Sequence, residues 1–237
     1  MTRDTARTRA ARATALWTLV IGFVASVLVG LSPASYLQAR LRFGCAFVGE
    51  DWVCDDQAAL LWPAIGIVAL GALALGWAAL IVRATWDAPR ERAGQLAAIG
   101  IIAVAPTIML FALLLVDALV HDAGGVSYEA SRVAMWAERA MVPALSTALA
   151  GALAFVGLRV RAVGALPRLA TLQLAGAMLL LLGAAAMSSL GTLPSGIVAA
   201  SAIAAGWTVA AATGPDRRAR RSASATDVDP SRSRSTQ

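Results

Sequence analysis

Six apolar stretches, each about twenty residues long, run through this 237-residue chain and leave few folds open to it. They cover about 13–31, 58–82, 96–120, 140–158, 169–190 and 193–213. A helix rises ~1.5 Å per residue, so about 20 apolar residues cross a hydrocarbon core of roughly 30 Å. Lipid offers no partner to a backbone N–H or C=O, which makes helices the economical way to cross it. The period-two alternation of an outer-membrane barrel is missing. The expected fold class is therefore all-α: a polytopic transmembrane helix bundle of about six spans.

Composition rules out the soluble alternative. Charged residues make up 14% of the chain, against about 25% in an ordinary soluble domain. They also gather in clusters between the apolar runs, so no water-facing surface of the needed size could be built from them.

The arginines orient the bundle. All twenty basic residues are Arg, and sixteen fall on alternate connecting segments. Arg3, Arg7, Arg9 and Arg12 lie in the arm 1–12; Arg83, Arg90 and Arg92 follow span 2; Arg159, Arg161 and Arg168 follow span 4. The tail 214–237 holds Arg217, Arg218, Arg220, Arg221, Arg232 and Arg234. Only Arg40, Arg42, Arg132 and Arg139 lie on the other side, in outer loops 32–57 and 121–139. By the positive-inside rule both termini face the cytoplasm. Trp17 and Trp86 then fall near the inner interface, and Trp62 and Trp136 near the outer one. Trp77 and Trp207 lie deeper and are expected to pack inside. The basic arm, first apolar run and Ser32-Pro33-Ala34 loosely resemble a signal peptide. The run is longer than a usual signal core, so span 1 is expected to stay.

A formal charge of +6 is what such sorting produces, and no nucleic-acid partner is expected from it. Exclusive use of Arg, with abundant Ala, Gly, Val and Leu, suits a GC-rich bacterium. The expected address is the bacterial cytoplasmic membrane.

The first outer loop is the least lipid-like segment. Residues from Tyr36 to Phe43 suit a short interfacial helix. The segment CAFVGEDWVC then runs from Cys45 to Cys54. Both cysteines fall on the oxidising side, where disulfides persist, and Gly49-Glu50-Asp51 would let the segment fold back as a hairpin. A Cys45–Cys54 bridge is expected, holding Phe47, Trp52, Glu50, Asp51, Asp55 and Asp56 in a fixed knob. Two cysteines without a nearby His fall short of a zinc site. In the second outer loop Ser127 suits a helix N-cap, leading an amphipathic helix from Tyr128 into span 4.

Motifs that carry chemistry are scarce. Asp117 is the one ionisable residue inside an expected span, and an intramembrane carboxylate marks a candidate functional site. His121, four residues on, shares its helical face. The pair could relay protons or hold half of a cation site, unless span 3 ends near Val116 and leaves both in the wet interface. Pro106-Thr107 and Pro143 with Ser146-Thr147 invite kinks in spans 3 and 4, with nearby hydroxyls available to the freed carbonyls. Gly66, Gly71, Gly76, Gly176, Gly183, Gly196, Ala200 and Ala204 are candidates for close helix contact. Gly-rich phosphate loops, His-Glu-x-x-His helices and Gly-x-Ser-x-Gly elbows are absent. One His cannot supply a bis-histidine haem site, and no cofactor is expected. The tail should be disordered, with Arg217, Arg218, Arg220 and Arg221 placed against anionic lipid headgroups.

These features point to a non-enzymatic membrane protein, an accessory or scaffold subunit that binds other membrane proteins through its outer loops or a bundle face. A small transporter or channel built on Asp117 and the prolines is the first alternative. A lipid-modifying enzyme using Asp51, Asp55, Asp56 and Asp117 is the second.

Overall fold

The computed structural model describes residues 2–31, 45–54, 61–87, 92–122, 131–164, 166–188 and 193–213. Within them six helices account for nearly all of the chain: α1 Thr2–Leu31, α2 Leu61–Asp87, α3 Arg92–Asp122, α4 Arg132–Val163, α5 Pro167–Ser188 and α6 Leu193–Thr213. Each contains a segment long and apolar enough to cross a membrane. The protein is an all-α, multi-pass membrane protein. The one departure from helix among the described residues is a hairpin, β1 Cys45–Val48 and β2 Asp51–Cys54.

Helix α1 reaches back to Thr2, so the basic arm continues the first span instead of trailing from it. At 30 residues it is about 45 Å long, more than the hydrocarbon needs. Helix α4 starts from Ser131, whose hydroxyl accepts the Ala134 N–H at 3.2 Å. Ser127, the cap expected for the amphipathic helix, and Tyr128 lie outside the described residues. The segments 32–44 and 214–237, with the expected interfacial helix and the tail arginines Arg217, Arg218, Arg220 and Arg221, also lie outside them.

Helix α6 is the axis of the bundle. The first five helices each pack against the next in chain order, and all five pack against α6. Its residues suit that place. Val198, Ala199, Ala202, Ile203, Ala205, Val209 and Ala210 are all at most 1% exposed, and their directions cover more than one side of the helix. A central helix must be slim, because five neighbours can approach it only where side chains are short. Lipid-facing surfaces carry the reverse pattern, large apolar residues left uncovered: Trp17, Leu28, Leu172 and Leu179 are 65–72% exposed.

Close contacts pick out particular glycines. A Cβ at Gly100 would come within 2.9 Å of the Phe155 backbone nitrogen, and one at Gly22 would overlap Ser201. Gly71 meets Val198, and Gly196 meets Ala185. Gly66, Gly76, Gly176 and Gly183 have nothing within 4 Å of such a Cβ, so the expectation of close contact fails at those four. Trp77 also differs from its expected role. It is 55% exposed and lies on the bundle surface, whereas Trp207 packs partly buried against the core.

Candidate functional site

The hairpin is the most defined feature outside the helices. Its strands pair antiparallel in the register Cys45↔Cys54, Ala46↔Val53, Phe47↔Trp52 and Val48↔Asp51. Gly49 and Glu50 make the turn, and Gly49 holds φ at 68°, the positive value a two-residue hairpin turn needs at its first position. A disulfide joins Cys45 to Cys54 across the open end. The ladder is thereby closed at both ends, by a turn and by a covalent bond.

Strand alternation sorts the hairpin into two faces. Val48, Asp51 and Val53 share one. Val48 is 60% and Val53 56% exposed, and Asp51 beside them is exposed as well. The opposite face carries the disulfide and half-buried Trp52. Glu50 is exposed at the tip. The result is a small, rigid, partly apolar surface with carboxylates at its edge.

The bundle interior is different in kind. Among the described residues the polar side chains buried as a whole are hydroxyls, Ser26, Thr85, Thr107, Thr147 and Ser195, while partly exposed Arg92, Gln95 and Gln173 also bury a side-chain polar atom. Most of the hydroxyls' bonds go to backbone carbonyls. Thr85 donates to Ile81 O at 2.8 Å, Thr147 to Pro143 O at 2.8 Å, and Ser26 to Pro194 O at 3.3 Å. The Thr147 bond is the ordinary one to the preceding turn. It reaches the carbonyl of Pro143 itself and leaves the carbonyl at position 139, the one the proline ring strips of its donor, to other partners. The Ser26 bond is of another kind, because it ties α1 to the first turn of α6. Thr107 is 3% exposed, and its hydroxyl has no hydrogen-bond partner among the described residues.

Asp117 and His121 fall in the closing turns of α3, and their side chains lie outside the described part of the structure. Pro106 and Pro143 sit inside α3 and α4, both of which run on as helix through them. No group of three or more His, Cys, Asp or Glu that could hold a metal ion occurs among the described residues.

At the arginine-rich end the turn between α4 and α5 is tightly specified. Gly164 caps α4 with φ at 77°, its N–H donating to Arg161 O at 3.1 Å. Leu166 follows with φ at 39°, and Pro167 opens α5 at the position where its missing N–H costs nothing. Arg161 reaches across the turn, its Nη1 3.5 Å from Pro167 O. Arg159 and Arg168 are exposed on either side. Arg159 and Arg161, expected in the loop after span 4, instead lie in the last turns of α4, and Arg168 lies in the first turn of α5. Sequence reading gives these arginines no role beyond orientation. The available signal was the absence of any Asp or Glu between Glu138 and Asp216.

Comparison of the chain with protein families, with curated proteins and with solved structures finds no match in any of the three.

Proposed function

We propose that this protein is a non-catalytic subunit of a bacterial cytoplasmic membrane, with both termini inside, that docks a partner membrane protein through its disulfide-closed hairpin. The observation that carries the reading is the exposed face made by Val48, Asp51 and Val53. Arginine sorting puts that face in water outside the membrane, where two valines more than half exposed gain by being covered. The turn and the disulfide keep the face ordered before binding, which lowers the entropy lost on association. Glu50 and Asp51 favour a partner with basic residues around an apolar patch.

Gentle solubilisation of the tagged protein, followed by mass spectrometry of what co-purifies, tests the proposal. A stoichiometric membrane partner is expected, and Val48→Asp with Val53→Asp should release it while leaving the bundle folded. Purification without a stoichiometric partner would count against docking, as would a partner retained by the double variant.

A further inference from the structure

The arginines of the α4–α5 turn lie at the end of an apolar helix, within and just beyond its membrane-length segment. The apolar segment of α4 spans Met141–Val163 and so contains both Arg159 and Arg161. Val163, one helical turn beyond Arg159 on the same face, is 63% exposed, as is Leu166, and Leu169 is 48% exposed. Exposed apolar residues therefore continue along the chain past Arg159 and through the turn. The sequence from 139 to 215 supplies no carboxylate to answer Arg159, Arg161 and Arg168.

Three guanidinium groups at the boundary of the hydrocarbon call for an anion at the same depth. Phospholipids carry one there. A guanidinium presents a planar fork of N–H donors that matches phosphate oxygens in pairs, and Val163, Leu166 and Leu169 offer apolar surface beside it. A free phosphate ion would have no use for that surface, whereas a glycerophospholipid sets its phosphate against the arginines and its glycerol and upper acyl chains against the apolar side chains. The backbone under the site is fixed by the Gly164 cap and by the Arg161 contact to Pro167 O.

We propose that Arg159, Arg161 and Arg168 form a binding site for the headgroup of an anionic phospholipid, separate from any contact made by the tail. The site is independent of the hairpin and of the docking reading above. Occupied, it would lock the α4–α5 hairpin to one leaflet.

The full-length protein, purified in neutral detergent, is titrated with phosphatidylglycerol or phosphatidylcholine and followed by native mass spectrometry. Wild type should retain phosphatidylglycerol in preference to phosphatidylcholine. Arg159→Gln with Arg168→Gln should weaken that retention about tenfold, as expected from losing two charge-assisted contacts. Arg232→Gln with Arg234→Gln removes the same charge from the far tail, outside the Arg217–Arg221 cluster, and should leave it unchanged. Arg168→Gln alone serves if the double variant does not fold, since that side chain is exposed. Equal loss in the turn and tail pairs overturns the site, as does an absence of preference between the two lipids. Displacement of phosphatidylglycerol by millimolar inorganic phosphate would assign the arginines to a free anion and also overturn it.

Discussion

Gly100 on α3 lies directly against the backbone of Phe155 on α4, so close that a methyl group at position 100 would come within 2.9 Å of the Phe155 nitrogen. Neither backbone can yield without bending a helix. Gly100→Ala should therefore destabilise the bundle by about 1–3 kcal/mol, the usual cost of overpacking a filled interface. Gly76→Ala is the control, since nothing lies within 4 Å of a Cβ there and alanine is the better helix former by about 1 kcal/mol. Denaturation of both variants in mixed micelles checks the expected opposite signs.

A second tie joins α1 to α6. The Ser26 hydroxyl donates to Pro194 O at 3.3 Å from a side chain 4% exposed. Interhelical bonds in lipid are modest because the separated helices find other partners, and ~0.6 kcal/mol is typical. Ser26→Ala should cost about that much by the same denaturation assay. Gly22→Val should cost considerably more, since even a Cβ at 22 overlaps Ser201.

The hairpin depends on its bridge. Closing so short a loop removes about 2–3 kcal/mol of unfolded-state freedom on the chain-entropy account. An isolated two-stranded ribbon is marginal in water. Cys45→Ser with Cys54→Ser should leave the six helices intact by circular dichroism while making the Gly49–Asp51 turn sensitive to added protease. If resistance at the turn survives loss of the bridge, the bundle and not the disulfide holds the hairpin.

The spans and the bridge were legible in the sequence because each rests on a local rule. Apolar length marks a span, and a pair of cysteines around Gly49-Glu50 marks a closed hairpin. Helix ends were less legible: the cap of α4 is Ser131, which the sequence does not set apart from other hydroxyl residues nearby. Which helix is central was not legible at all. Ala-rich α6 and Leu-rich α5 are both mostly apolar, and their difference lies in side-chain size, which decides how many neighbours can approach. The same holds for glycine. Gly71 and Gly76 look alike in α2, yet only Gly71 faces another helix closely. Trp77 was misassigned for this reason, since depth along a span says nothing about which side of the helix faces lipid.

Asp117 separates the docking reading from a transport reading. If the protein acts as a docking subunit, Asp117→Asn should co-purify the same partner in the same ratio as wild type. A transporter that moves a cation or proton on this carboxylate would lose its activity with the same change and keep its fold. Partner stoichiometry measured beside uptake in vesicles, with matched expression, decides between them: loss of uptake at an unchanged partner ratio would replace docking with transport.

The sorting of charge between the two ends of the bundle makes the last prediction. The ends that should face the cytoplasm hold sixteen arginines, while the outer loops hold four arginines and seven of the fourteen acidic residues. Arginine resists transfer across a membrane during insertion, so the arginine-rich ends stay on the side of synthesis. The native cysteines are joined to each other and should not react with thiol reagents, which leaves a clean background for introduced ones. A membrane-impermeant maleimide applied to intact cells or spheroplasts should label Glu50→Cys and leave Arg90→Cys unlabelled until the membrane is opened. The opposite pattern would turn the bundle over, moving the hairpin into the reducing cytoplasm, where neither its disulfide nor docking at the outer face would survive.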